Sequence, residues 1–475
     1  MKSPATYWMC VLTGLVAAFA LLLLADGCAV GPNYHRPKPD VPPAFRDAPV
    51  TTSTNSIGDL PWWEMFKDET LRGLIGQALT NNYDLAVAVT RVEQAHAILA
   101  QNRALFFPQA SYQASVSRGR NSVAGNAVFE NGVTTAAFLG EASASWEIDL
   151  WGRIRRLNES ARAQYFASQE ARRDVMITVI SDVASAYFQL LALDQEMAIA
   201  QGTTNAYSES LRIFTERYEG GIASKLETSA AEAQYESTAA TIPDLERQIA
   251  VQENLISVLI GRNPDPITRP HALLQEMLPP EVPAGLPSAL LERRPDIREA
   301  EQFLRANNAQ VGVAVANFFP QISLTALVGK ISPELSAITS GESTAWNAGA
   351  GLFGPLFQGG RLVGQYHEAV ALKEQSRLQY LQTILNAFQE VSNALIAHEK
   401  LAEARVRQAR AVEAYRSAVQ IATQRYVVGQ AGYYEVLQQQ ELLFPAENTL
   451  TQIELNQLLS LVQLYRALGG GWVGK

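Results

Sequence analysis

From Arg153 to Glu219 the chain carries no proline, and Gly202 is the only interior glycine. Proline breaks helix interiors and glycine weakens them, so this run is free to remain one helix. At 1.5 Å per residue, about 65 residues make a rod roughly 100 Å long, too long for an ordinary globular core. Val179, Val183, Ala186, Leu190, Leu193 and Met197 step by four and three, which is a coiled-coil seam. A second apolar row, Met176, Ile180, Ala184, Tyr187 and Leu191, runs beside it. Two adjacent seams require packing neighbours on both sides, as in the wall of a tube. The stretch from Leu362 to Val428 has the same character, interrupted only by Gly364. Shorter helical partners run from Lys225 to Ile260, broken by Pro243, and from Tyr433 to Leu468, with Pro445 inside. The glycines of "EGGIAS" and "VVGQAG" mark hairpin tips joining each pair.

The chain repeats itself. "RALFFPQASYQAS" returns as "VANFFPQISLTAL", and "TERYEGGIASKLE" returns as "TQRYVVGQAGYYEVL". Both offsets are about 210 residues, far beyond a solenoid period, so one large unit is duplicated. The join, "GRNPDPITRPHALLQEMLPPEVPAGLP", is proline-rich and reads as a linker. The expected division is residues 28–68 as a Pro-rich extended tether, 69–262 as the first repeat, 263–287 as linker, 288–468 as the second repeat and 469–475 as tail.

Each repeat also holds two strand patterns. Ala110, Tyr112, Ala114 and Val116 alternate with Ser111, Gln113, Ser115 and Ser117. Phe138, Ala142, Ala144, Trp146 and Ile148 alternate with Glu141, Ser143, Ser145, Glu147 and Asp149. The second repeat supplies Ile322, Leu324, Ala326 and Val328, then Trp346, Ala348, Ala350 and Leu352. The polar positions are Ser, Gln, Gly and Thr with scattered acids, as in the lumen of a wide β-barrel. Four strands cannot close, because membrane barrels begin at about eight and open edges do not occur in lipid. The expected fold is therefore a mixed α and β membrane protein in which several copies share one barrel. A dimer would give eight strands and a trimer twelve. Twelve leave more lumen than eight, which favours a trimeric 12-stranded barrel continued by a long α-helical barrel.

Compartment turns on the start of the chain. Lys2 precedes an apolar run from Cys10 to Leu24, about 15 residues, followed by small residues and Gly27-Cys28. That order fits a lipoprotein signal peptide over residues 1–27, cut before a lipidated Cys28. Ala25 stands where Leu is usual, and Asp26 where a small uncharged residue is usual. The other reading is an uncleaved anchor helix from Tyr7 to Ala25. Barrel strands favour cleavage, because a retained helix would tether the chain to the wrong bilayer. After residue 30 nothing is apolar for the ~20 residues a helical span needs, so membrane passage falls to strands or lipid. A net charge of −9 argues against nucleic-acid binding.

Together, "CAVGPNYHRPKP", "PWWEMFKDETLRGLIGQAL", "EIDLWGRIRR", "LLERRPDIREAE", "ANFFPQISLTA" and "PLFQGGR" resemble the outer membrane factor (TolC-like) channels of tripartite efflux pumps. Within these, the similarity is to the NodT-like outer membrane lipoproteins, and it runs from Cys28 to the C-terminus. The resemblance implies a homotrimer in the outer membrane that extends into the periplasm. It implies a periplasmic adaptor (membrane fusion protein) and an inner-membrane transporter of RND type as partners. It makes Cys28 the lipidated, palmitate-bearing residue; Ala29 after it is compatible with outer-membrane sorting. Gly220, Gly221 and Gly429 match the hairpin tips that meet the adaptor, and Tyr426 matches a tyrosine near the periplasmic constriction. Relatives often carry Asp or Arg where this chain has Ala431. Closure is therefore expected from packing of Tyr426, Tyr433 or Tyr434 in place of an ionic lock.

No catalytic, cofactor or metal site is expected, so the chain reads as a non-enzyme. His35, His96, His271, His367 and His398 show no zinc-ligand spacing. Glu93 and His96 have the Glu-x-x-His spacing of di-iron bundles but lack a second copy, and read as a solvated helix face. No phosphate loop follows a strand. Glu141, Glu147 and Asp149 are expected to face the lumen and bias it toward cations, or to keep it wet. The expected function is a passive, gated exit duct for drugs or other toxic small molecules. The alternatives are type I secretion of proteins through the same architecture and a non-channel coiled-coil envelope lipoprotein.

Overall fold

A computed structural model describes residues 29–46, 56–120, 134–269, 285 and 287–470. Cys28, the signal segment and most of the linker lie outside these residues. In chain order the elements are α1 (Trp62–Met65), α2 (Glu69–Asn81), α3 (Tyr83–Ala104), β1 (Gln109–Arg120), β2 (Thr134–Ile148), α4 (Arg153–Glu219), α5 (Lys225–Ala239) and α6 (Thr241–Leu259). They continue as α7 (Pro287–Arg293), α8 (Pro295–Ala316), β3 (Gln321–Ser332), β4 (Thr344–Phe353), α9 (Arg361–Val427) and α10 (Tyr433–Ala467). Two compact units form, and each draws on both halves of the sequence. One comprises the chain up to Lys38, Val92–Ser168 and Ala300–Tyr380; the other comprises Pro39–Arg91, Gln169–Glu299 and Leu381–Lys475.

The first unit holds an antiparallel sheet in the order β1-β2-β3-β4. Its register sets Gln113, Glu141, Gly329 and Ala345 side by side, so alternate residues share a face across all four strands. One face carries Ser111, Gln113, Ser143, Ser145, Ser323, Thr325 and Asn347. The other carries Tyr112, Ala114, Ala142, Ala144, Leu324, Val328, Trp346 and Ala350. β1 and β4 are the edges.

In the second unit most of both apolar rows of α4 is buried, with Met176, Leu193 and Met197 half-buried. Val179, Val183, Ala186 and Leu190 pack in one cluster with Ile180, Ala184, Tyr187 and Leu191. Leu71, Ile75 and Ala78 of α2, Ile256 of α6 and Leu458 and Val462 of α10 complete it. No helical span is expected after residue 30, yet an 18-residue window of α4 reaches a mean hydropathy of 1.6. Because 67% of that window is buried in the fold, its apolar character serves helix packing. Tyr187 donates a hydrogen bond to Asp68 Oδ2 at 2.8 Å, while Asp68 Oδ1 caps α2 by accepting from the Leu71 amide at 2.9 Å. The break at Pro243 is a single residue, Ala240, which leaves Pro243 in the first turn of α6, where no amide donor is needed. α10 runs unbroken through Pro445.

Candidate functional site

The Glu141 face of the sheet carries Glu141 and Glu147, and Asp149 follows the end of β2 by one residue. Glu147 holds Arg153 through two bonds of 2.9 and 2.5 Å. Asp149 accepts from the amides of Ile154 and Arg155 at 2.9 and 2.8 Å and pairs with the Arg155 guanidinium at 3.3 Å. Arg153, Arg155 and Arg156 all stand in the first turn of α4, where positive charge opposes the helix dipole. Glu147 and Asp149 thus pair with arginines at the start of α4. The crowding of "DLWGRIRR" was the available signal for this role. Glu141, opposite Gln113 and Gly329, makes no ion pair with a described residue.

The tether is docked on the first unit. The Arg156 side chain, 4% exposed, donates to the carbonyls of Val30 at 3.2 Å and Gly31 at 3.3 Å and to Asn33 Oδ1 at 2.9 Å. It also pairs with Glu159 at 2.7 Å. The Val30 amide donates to the Trp151 carbonyl at 3.0 Å. Further along, Tyr34 and Arg36 both reach Glu301, at 3.1 and 3.0 Å. Gly31 adopts φ +92°, and a Cβ there would lie 2.4 Å from Gly312 Cα. No side chain fits that approach. Ala29, the residue after Cys28, sits against Gly152, four residues beyond the end of β2 and just before α4.

The hairpin tips lie in the second unit. After α4, Gly221 takes φ +70° and the Ile222 amide returns to the Arg217 carbonyl at 2.8 Å. Ser224 then opens α5 with a capping box to Glu227. After α9, Gly429 takes φ +75° and the Gln430 amide returns to the Arg425 carbonyl at 2.8 Å, the same closure one repeat later. Tyr426 and Tyr433 come together, with ring centroids 5.6 Å apart. Tyr433 packs on Phe214 at 3.8 Å. Arg217 bonds the Tyr426 hydroxyl and lies 4.7 Å over its ring. Burial pushes the Tyr433 hydroxyl above its ordinary pKa. Tyr434 is 76% exposed and stands apart from this cluster. Phe214 and Arg217 were not singled out from the sequence, since nothing local tied them to residues in the other repeat. Ala431 contributes no charge, but Arg425 and Glu435 form an ion pair across the second tip at 2.9 Å. His96 lies against the Tyr165 ring at 5.4 Å.

A two-faced sheet with open edges, joined to helices this long, matches one family in particular. The family model for the outer membrane efflux protein matches residues 74–262 and 286–470. The chain belongs to the outer membrane efflux protein family. It is 35% identical over 462 residues to the probable efflux pump outer membrane protein TtgC of Pseudomonas putida, covering 96% of this chain and 94% of that protein. It is 33% identical to the cation efflux system protein CusC of Escherichia coli, covering 96% and 98%. A CusC crystal structure superposes with a TM-score of 0.84 at 31% identity, covering 93% of this chain and 100% of that one. The open state of the Neisseria gonorrhoeae MtrE outer membrane channel gives 0.83 at 30%, covering 94% and 99%.

Family membership accounts for the open edges. Three copies contribute four strands each to one 12-stranded barrel in the outer membrane, and the long helices continue it as an α-helical barrel. The chain is an outer-membrane efflux channel, and channels rather than enzymes make up its family.

Proposed function

We propose that this protein is a passive, gated duct through which drugs or other toxic small molecules leave the cell. The observation that carries this reading is the four-stranded sheet, richer in Ser, Thr, Gln and Glu on one face and in Ala and aromatic residues on the other, whose strands β2 and β4 are followed in sequence by 67-residue helices. Cys28 is the lipidated N-terminus after removal of residues 1–27; Ala29, held beside Gly152 near the base of the strands, supports an anchor at the membrane. Residues 28–68, 69–262, 263–287, 288–468 and 469–475 act as tether, first repeat, linker, second repeat and tail.

The tips at Gly220, Gly221 and Gly429 receive a periplasmic adaptor, and an RND-type inner-membrane transporter supplies the energy. Tyr426 and Tyr433, clasped by Arg217 and Phe214, hold the periplasmic end shut; Tyr434, exposed and apart from them, is offered to a neighbouring copy or to the adaptor. Glu141 gives the lumen its cation bias, with Glu147 and Asp149 largely neutralised by arginine. No catalysis is involved. Deleting the gene and comparing susceptibility across drug classes, metals and detergents tests the reading. Raised susceptibility to small toxic compounds is expected; unchanged susceptibility to all of them, with loss of a secreted protein, would favour type I secretion.

A further inference from the structure

The internal duplication places a known contact within one chain opposite an unfilled equivalent between chains. Phe106-Phe107-Pro108-Gln109 leads into β1, and Phe318-Phe319-Pro320-Gln321 leads into β3. Leu150-Trp151-Gly152-Arg153 leads from β2 into α4, and Leu356-Phe357, followed by Gly360-Arg361, leads from β4 into α9. Gly152 and Gly360, the glycines just before the two helices, share a positive φ, +80° and +86°. Trp151 lies three residues past β2 and Phe357 four past β4, each after a leucine, with Gln358 and Gly359 as two extra residues before the second glycine, so the two aromatics correspond in place, as Phe319 and Phe107 do.

Within the chain, β2 and β3 are neighbours, and their feet are joined by aromatic packing. Phe319 stacks on Trp151 at 4.7 Å with 23° between the rings, and Trp151 Nε1 donates to the Pro320 carbonyl at 2.8 Å. Among the described residues the equivalent pair, Phe107 and Phe357, makes no stacking contact. Phe107 is 67% exposed and Phe357 90% exposed. Phe107 is nonetheless held by a hydrogen-bonded turn, its amide donating to the Ala104 carbonyl at 3.1 Å, and Trp146 Nε1 grips the Phe106 carbonyl at 3.0 Å. The backbone around Phe107 is thus fixed, and its exposed ring is presented at a set place beside the β1 edge. Phe357 itself lines a mostly apolar cavity of about 200 Å³, together with Phe318, Leu356, Gln358, Leu362 and Val363.

Closing the barrel pairs the edge strand β4 of one copy antiparallel with β1 of the next, continuing the alternation within each chain. That pairing brings the two feet together. We propose that Phe107 of each copy stacks on Phe357 of its neighbour and fills the apolar cavity there, repeating between chains the Phe319–Trp151 contact made within each. The occupant is a second copy of this chain. The inference rests on the trimeric barrel. Phe357 has no ring N–H, so the interchain contact lacks the Trp151-type hydrogen bond and depends on ring packing and burial alone.

The test is cysteine cross-linking in the full-length, membrane-assembled protein. Phe107→Cys with Phe357→Cys, treated with a short bifunctional thiol reagent, should give a ladder of covalent dimers and trimers, which neither single-cysteine chain gives. Trp151→Cys with Phe319→Cys is the internal control and should link within one chain, without a ladder. A native trimer whose 107/357 pair stays unlinked while the control pair links overturns the proposal. Absence of any trimer on a native gel instead overturns the barrel reading on which it rests. Should the cysteine pair impair assembly, Phe107→Ala and Phe357→Ala offer a second route. Each should lower the temperature at which the trimer dissociates, and the double variant should lose little more than either single one. Fully additive losses would count against the contact.

Discussion

Arg156→Met removes the guanidinium that holds the tether while keeping most of the side chain's bulk. The group is 4% exposed, so surface screening does not apply. Its bonds to Val30, Gly31 and Asn33 measure 3.2, 3.3 and 2.9 Å. Hydrogen bonds to charged groups contribute about 1.5–3 kcal/mol each, and breaking a buried charged arrangement by removing one partner costs about 3–5 kcal/mol. The contacts of Tyr34 and Arg36 to Glu301 survive, so release should remain local to residues 29–33. About 3–4 kcal/mol of lost docking corresponds to a roughly hundredfold to thousandfold rise in opening. Hydrogen exchange of the purified trimer measures it at the Val30 amide, which is bonded to the Trp151 carbonyl at 3.0 Å. Unchanged exchange in peptides covering residues 29–36, in an intact trimer, would refute the reasoning.

Three further outcomes follow from the same geometry. Gly31→Ala combines a left-handed backbone, worth about 1–3 kcal/mol, with a Cβ 2.4 Å from Gly312 Cα, and should markedly lower the trimer's melting temperature. Gly202→Ala meets nothing within 4 Å in α4 and should be neutral or stabilising by up to about 1 kcal/mol in the same melt. Glu299 of α8 is pushed up to about 7 by burial and by Asp174, Asp296 and Glu170. With an unfolded value of about 4.3, the folded chain holds the extra proton between the two pKa values. Its contribution is therefore fully present below about pH 4.3 and is lost as pH rises through 7. Glu299→Gln should flatten the stability profile across that window and leave the variant more stable than wild type above it; parallel profiles would contradict this.

Much of the architecture is legible locally. α4 is bounded by what it lacks, proline and interior glycine, and the sequence places its ends at Arg153 and Glu219, where the helix is found. The alternation of Ala110, Tyr112, Ala114 and Val116 marks β1 but stops short of its end at Arg120, because Arg118 and Arg120 break the apolar pattern. Pro243 and Pro445 look alike in sequence and differ in effect. Ala240 gives the chain a helix boundary just before Pro243, whereas α10 continues past Pro445, where the Pro445 and Ala446 carbonyls accept from Thr449 and Gln408 at 2.8 and 2.9 Å. What stays hidden is long-range. Arg156 meets residues some 125 positions away, and Arg217 meets Tyr426 in the other repeat. No periodicity encodes such pairs. The pairing of Glu147 and Asp149 with arginines is the opposite case: the partners stand six residues away, in a cluster of arginines at a helix start.

Single-channel conductance in planar bilayers tests the gated-duct reading most directly. The purified wild-type trimer should insert with low, mostly closed conductance. Tyr426→Ala combined with Tyr433→Ala removes the clasp of Phe214, Arg217 and the two tyrosines and should raise conductance several-fold. Inserted trimers that conduct equally with and without the tyrosines would contradict the gate, and inserted trimers that never conduct would contradict the duct itself.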